Sequence, residues 1–218
     1  NEVAHVELES DDQKILNCVE REIVAIQRSL EDPDKYIGEG MVAKVFESDT
    51  WPKLCYKVVH DLEKYRKGNS VERESSFLGR LNDLSVDGVR TPHAYFIVQE
   101  LGMTAIGMER LKALSLDDVR LRQPDALQEL KRRGFDVDDF FRRIEAYVVE
   151  MHKRGIYHCD LYGRNIMIDW ETLLQRIIDF GRSEHFDFES DVPELVASDD
   201  FEKIKIAKKE LKSALLTC

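Results

Sequence analysis

The 218-residue sequence contains no run of about 18 uncharged apolar residues, so a membrane-spanning helix is not expected. Its N-terminus lacks a basic segment followed by an apolar one, the pattern of a secretory signal. The four cysteines, Cys18, Cys55, Cys159 and Cys218, include no C-x-x-C pair. That argues against a zinc site or a disulfide scaffold and leaves reduced thiols in a cytosol as the reading. Positive charge is in deficit: 32 Lys and Arg face 43 Asp and Glu, a formal net charge of −11. A nucleic-acid-binding surface rewards clustered Lys and Arg and is not expected here, although a local positive pocket for a nucleotide is compatible with the balance. Internal repeats and low-complexity segments are absent as well. What the chain does have is an apolar fraction of 43%, enough to bury a core in one large domain or two small lobes.

The apolar residues are spaced in two ways. Ser10 with Gln13 forms a capping-box pattern ahead of Ile15, Leu16, Val19, Ile23, Ile26 and Leu30, which predicts an amphipathic helix over 10–31 ending near Pro33. That helix is read as packed on the core, with a partner-binding face as the alternative. From Tyr36 to His60 the texture is β: YIGEGMVAKVFE, a turn at SDTWPK, then LCYKVV. A second helix is expected at SVERESSFLGRLNDL, and two more strands at HAYFIVQE and TAIGMERL. The remainder reads as mainly helical. DVDDFFRRIEAYVVEMHKRG carries Phe140, Ile144, Tyr147, Val148 and Met151 on one face and stops at Gly155. Before it, RLRQPDALQELKRRG is read as a solvated helix face rather than a docking patch. After it come a strand pair, NIMID and QRIIDFG, and a last helix from about Asp200 to Leu216.

Four local features carry chemistry. Gly38 and Gly40, in a strand-turn-strand setting, lack a Cβ and let backbone approach an anion closely. Lys57 lies on the next strand, and the following helix offers Glu74. A Lys–Glu pair across strand and helix would hold the ammonium against phosphate oxygens. In IYHCDLYGRNIMID, polar residues sit on the loop that feeds an apolar strand. There Asp160 is placed to orient or deprotonate a hydroxyl, and Asn165 offers an amide oxygen suited to a hard cation. Fourteen residues after Asn165, Asp179 ends another apolar strand and adds a carboxylate. Two oxygen ligands at adjacent strand ends suit Mg²⁺ whose octahedron is completed by water and phosphate.

Taken together, these residues resemble the motif series of the protein kinases. Gly38-x-Gly40-x-x-Ala43-x-Val45 is similar to the glycine-rich loop, Lys57 to the strand-three lysine and Glu74 to its helix partner. His158-x-Asp160-Leu161-x-x-x-Asn165 is similar to the catalytic loop, and Asp179-Phe180-Gly181 to the metal-binding triplet. The match runs from about residue 36 to 182. It implies an α+β, bilobal protein-kinase-like fold with an antiparallel-sheet N-lobe and a truncated helical C-lobe. The implied division is an N-terminal helical extension at 1–33, an N-lobe at 34–111 and a minimal C-lobe at 112–218. It further implies ATP and Mg²⁺ held between the lobes. Gly38, Glu39, Gly40 and Val45 cover the nucleotide, Met108 sits at the gatekeeper, Glu109 to Leu111 form the hinge, and Met167 and Ile178 form the floor of the adenine pocket. Lys57 steadied by Glu74, Asp160 and Arg164 act in transfer, and Asn165 and Asp179 hold the metal.

The departures narrow the resemblance. The chain runs only to residue 218 after Gly181, which reads as a minimal kinase without a full activation segment. Cys159 replaces an arginine that in many kinases reads activation-loop phosphate. Tyr162 stands where a lysine near the γ-phosphate is usual, and Arg164 is the candidate to supply that charge. Ala43 replaces a third glycine. These features are most similar to small bacterial effector kinases of the OspG and NleH type, with RIO and KEOPS-complex kinases second. The expected function is transfer of the γ-phosphoryl group of Mg-ATP to a protein hydroxyl, most simply Ser or Thr. The resemblance implies a protein substrate, a host or regulatory partner, and a cytoplasmic location or delivery by bacteria into a host cytosol. A small-molecule phosphotransferase and a nucleotide-binding pseudokinase scaffold are the alternatives.

Overall fold

In the computed structural model, residues 4–5, 19–40, 42–49, 51–59, 71–100, 103–186 and 193–217 are described. Their contacts divide the chain into two units, Asn1–Asn82 with Pro92–Leu111, and Asp83–Thr91 with Lys112–Cys218. Among the described residues no helix is long and apolar enough to cross a membrane.

The first unit is a six-stranded antiparallel sheet in the order β1-β5-β6-β4-β3-β2, built from β1 (Ala4–His5), β2 (Tyr36–Glu39), β3 (Ala43–Glu47), β4 (Leu54–Val59), β5 (Ala94–Glu100) and β6 (Met103–Glu109). Two helices accompany it, α1 (Val19–Glu31) and α2 (Val71–Leu81). The capping-box part of the first expected helix, Ser10 to Gln13, lies outside the described residues, as do Cys18 and Cys218. One sheet face carries Phe46, Tyr56, Val58, Phe96 and Val98 in a buried cluster that includes Ile26 of α1. Side chains alternate along a strand, so Lys57, between Tyr56 and Val58, points to the opposite face. That face meets α2, whose buried Val71, Glu74, Phe77, Leu78 and Leu81 follow helical spacing. Gly107 in β6 is there for close packing: a Cβ would run into the Phe96 ring.

The second unit opens with short strand β7 (Ala113–Ser115), which the sequence reading missed, and helices α3 (Leu116–Leu121) and α4 (Pro124–Arg132). Ser115 caps α3, accepting from the Asp118 amide at 3.0 Å and donating to its carboxylate at 2.7 Å. The charged stretch 120–134 is mostly solvated, with Arg122 and Arg132 on the surface. Helix α5 (Val137–Lys153) is capped by Asp136, which accepts from the amides of Asp138 and Asp139 at 2.9 and 3.0 Å. It buries the apolar face that its periodicity predicts. The chain leaves α5 at Gly155, where φ is +71° and a Cβ would meet the Phe186 carbonyl at 2.6 Å, so only glycine serves. β8 (Ile156–Tyr157) then pairs with β11 (Glu184–His185). The expected pair β9 (Ile166–Asp169) and β10 (Gln175–Ile177) becomes three-stranded through β7.

The last helix, α6, spans Pro193–Thr217 and starts earlier than the expected Asp200. Asp200 reads locally as a helix-starting acid, yet it lies inside α6 with none of its surface exposed. A tertiary partner, described below, takes the carboxylate that local capping logic assigns to the helix end.

Candidate active site

In the first unit, Lys57 Nζ lies 2.5 Å from Glu74 Oε2, so the strand-to-helix pair read from spacing is formed. Both partners are shielded, with side-chain exposures of 14% for Lys57 and 2% for Glu74. A carboxylate on the buried face of an amphipathic helix costs desolvation unless an ammonium meets it, which gives the two positions a physical need for each other. Beside Lys57, Val45 is its cross-strand neighbour on β3. The turn between β2 and β3 is closed by Gly40 N–H donating to Ala43 O at 2.8 Å. A Cβ on Gly38 would meet nothing within 4 Å, and one on Gly40 would make only an ordinary 3.9 Å contact with the Ala43 carbonyl. Neither glycine has a positive φ. The fold by itself therefore does not require glycine at either position; close approach by something outside the chain would. Glu39 is exposed at the end of β2. Met108 is buried in β6, Glu109 N–H donates to His93 O at 2.8 Å, and Leu111 is half-buried at the unit's last residue.

In the second unit, Asp160 is 5% exposed and is the centre of a polar cluster. Arg164 Nη2 donates to both carboxylate oxygens, at 2.7 and 2.9 Å. Asn165 Nδ2 donates to the Asp160 carbonyl at 2.7 Å and to Oδ2 at 3.1 Å, while the Asp160 N–H faces His158 Nδ1 at 3.3 Å. Arg164, expected near a phosphate, is thus spent on Asp160, with its guanidinium 4.8 Å above the Tyr162 ring. A second cation near that ring is Lys203, with Nζ 5.1 Å from its centroid.

The loop is held in shape by Asp200. Its Oδ2 accepts from the His158 amide and its Oδ1 from the Cys159 amide, both at 2.9 Å. His152 Nε2 lies 3.1 Å from Oδ2, and Lys203 Nζ donates to the Cys159 carbonyl at 2.6 Å. Cys159 has φ +62°, which turns two successive amides onto one anion. Left-handed backbone at a non-glycine residue costs about 1 kcal/mol, and two charge-assisted hydrogen bonds offset it. Burial, with Asp200 and Glu184 adding to it, pushes the Cys159 thiol up to about 11, so the sulfur is a neutral thiol near neutrality. Its place in the loop is a matter of backbone shape, not nucleophilic chemistry.

Asn165 and Asp179 are brought together by the backbone: Ile178 N–H donates to the Asn165 carbonyl at 3.0 Å. Asp179 adopts φ 64°, ψ 65°, a second left-handed non-glycine residue, with Phe180 fully buried beside it against His158 at a ring separation of 4.6 Å. His158 Nε2 lies 2.8 Å from the Ile178 carbonyl and completes the tie between the two loops. Met167 and Ile178 are half-buried on β9 and just beyond β10. Among the described residues no group of three or more His, Cys, Asp and Glu could hold a metal unaided. The Asn165–Asp179 pair fits magnesium carried in with phosphate oxygens: the Asn165 side-chain nitrogen is committed to Asp160, so its Oδ1 is the atom that would meet a metal, and Asp179 would add a carboxylate.

The protein kinase domain model matches residues 32–203, most of the chain, including both halves of this arrangement. The chain belongs to the protein kinase family. The chain is similar to the CBL-interacting serine/threonine-protein kinase 14 of Arabidopsis thaliana, with 29% identity over 158 residues; these cover 68% of the present chain and 32% of the plant protein. The chain thus spans about a third of the length of that curated relative. Among solved structures, the crystal structure of a kinase domain superposes with a TM-score of 0.61 at 17% identity, covering 81% of this kinase and 62% of the other chain. That likeness establishes a protein kinase fold, with an antiparallel-sheet lobe and a helical one.

Sequence reasoning missed Asp200, Lys203, His152 and Arg182 in this kinase. Asp200 and Lys203 act through backbone groups of the loop and His152 through the Asp200 carboxylate, and no motif marks such roles. A buried acid on the inner face of α6, in line with Ile204, Ala207 and Leu211 at helical spacing, was the available signal.

Proposed function

We propose that the chain is the catalytic domain of an ATP-dependent protein kinase that phosphorylates serine or threonine. The observation that carries this reading is the 2.5 Å pair of Lys57 with buried Glu74, since it fixes an ammonium on a sheet next to a turn whose glycines the fold itself does not need. Magnesium-ATP, when bound, supplies the γ-phosphoryl group and the cation that neutralises its oxygens. Lys57 then holds the α- and β-phosphates, with Glu74 keeping it in place. The amides of Gly38, Glu39 and Gly40 cover the phosphates, and Val45, Met108, Glu109, Leu111, Met167 and Ile178 line the base. Asn165 and Asp179 hold the metal. Asp160 orients the acceptor hydroxyl and takes its proton, and Arg164 steadies that carboxylate until the acceptor arrives. The serine/threonine preference is supported by the likeness to the plant serine/threonine-protein kinase.

The test is incubation with labelled Mg-ATP and a mixture of protein and small-molecule acceptors. Label in protein hydroxyls that disappears with Asp160→Asn supports the reading. Label in small molecules alone would assign a small-molecule phosphotransferase, and a lack of both label and thermal stabilisation by Mg-ATP would assign a scaffold. The narrower reading, an effector kinase acting in a host cytosol, rests on the Gly38–Glu47 stretch and the Arg-free His158-Cys159-Asp160. Labelling of acceptors in a host extract but not in a bacterial one is its expected outcome.

A further inference from the structure

We infer that Arg182 is an acceptor-reading residue and that the preferred acceptor is an acidic peptide, with carboxylates next to the phosphorylated hydroxyl. The inference rests on the kinase reading above and deepens it.

The argument begins with a charge count around Asp160. Its carboxylate is already matched by Arg164, which reaches both oxygens, and is further hydrogen-bonded by Asn165. A second guanidinium, Arg182, stands with Nη1 3.9 Å from Oδ1, beyond hydrogen-bond distance. Among the described residues the Asp160 carboxylate therefore faces two guanidinium groups, and Arg182 is the one not hydrogen-bonded to it. Around a chain of net charge −11, that puts an exposed positive group beside Asp160, where the acceptor must arrive.

The turn that displays Arg182 is rigid. It follows Phe180 and Gly181, both buried, and precedes Ser183, which is fully buried and donates to the His158 carbonyl at 3.3 Å. Ser183 N–H closes the turn onto the Phe180 carbonyl at 3.0 Å. With neighbours locked on both sides, the Arg182 side chain is 56% exposed. Planar guanidinium groups recognise carboxylates bidentately, and here the donor fork is held beside the orienting aspartate without being consumed by it. Basic residues flanking the acceptor would meet like charge from Arg164 and Arg182 together.

The experiment uses the full chain and serine peptides that differ only in the residues flanking the hydroxyl: neutral, Asp/Glu or Lys/Arg. In the wild type, kcat/KM is expected to favour the acidic peptide over the neutral one about 5-fold or more at low salt, with the basic peptide poorest. The preference should shrink as salt rises. Arg182→Gln should bring the acidic-to-neutral ratio close to one, mainly through KM, and Arg182→Glu should favour the basic peptide. Equal use of acidic and neutral peptides by the wild type would overturn the inference. So would an Arg182→Gln variant that lowers kcat equally for all peptides and keeps their ratio, since Arg182 would then act on the transferred phosphoryl group. Transfer to no peptide and to no protein would sink the kinase reading itself, and with it this one.

Discussion

In the first unit one ion pair, Lys57 to Glu74, does its work across a strand and a helix that are close in sequence. In the second, Asp160 is a node in a network whose anchor, Asp200, is contributed by a helix some forty residues further on. The pair joins side chain to side chain. The network runs through backbone amides, carbonyls and two left-handed residues, Cys159 and Asp179. The contrast shows two ways of presenting charge in a fold. The sheet offers a stiff platform on which two side chains can meet directly. A loop has no such platform and needs its amides tied down one at a time.

The comparison can be broken at several points, and the largest effect is expected at the node. Asp160→Asn should lower phosphoryl transfer by roughly 100- to 1,000-fold with an unchanged thermal transition, as should Asp179→Asn, chosen because Asn tolerates left-handed backbone. A variant with wild-type turnover would remove that carboxylate from the mechanism.

Next is the pair itself. Lys57→Met takes the ammonium away from buried Glu74, and chemical denaturation should show a loss of about 3 kcal/mol as well as lost transfer. Adding Glu74→Leu should restore most of the stability and none of the activity. Recovery of activity in the double variant would mean that the pair is structural only.

At Asp200 the effect should be smaller but felt in both readouts. Asp200→Asn retains one acceptor oxygen for two amides, so a destabilisation of about 1–2 kcal/mol is expected, with reduced transfer, because the Cys159 turn relaxes. Unchanged stability would show that the loop holds its shape without α6.

The smallest effect concerns the surface of α5. Lys208 and then Lys212 pull the exposed Asp138 carboxyl down from 3.8 to about 2. A depressed folded-state pKa contributes stability above the ordinary carboxylate range and loses it as pH falls from about 4 towards 2. Asp138→Asn should therefore lower the Tm only slightly near neutrality, because the pair is solvent-screened. Its difference in Tm from the wild type should narrow below pH 4 and in high salt. A gap that persists in acid would point to a role outside this ion pair.

Much of this was legible in the linear sequence. The β texture of Tyr36–Val59, the apolar faces of α2 and α5, the glycine stop at Gly155 and the Lys57–Glu74 pair all follow from periodicities of two and 3.6, which need only neighbours in sequence. Strand β7 escaped because its three residues are too few to show alternation, and its pairing with β9 is what makes it a strand. The early start of α6 escaped for a related reason: Asp200 looks like a cap until the amides it serves are brought near.

The amino-acid order by itself determined which residues are proposed for phosphoryl transfer and on which strand, helix or loop each would lie. Helical and strand periods and the donor chemistry of Lys, Asp and Asn are properties of local sequence. Only the tertiary structure decided how those groups are held: Asp200 on the loop amides, Arg164 on Asp160, and Arg182 beside it. Such contacts join residues distant in the chain, and no local pattern records which buried polar group will meet which.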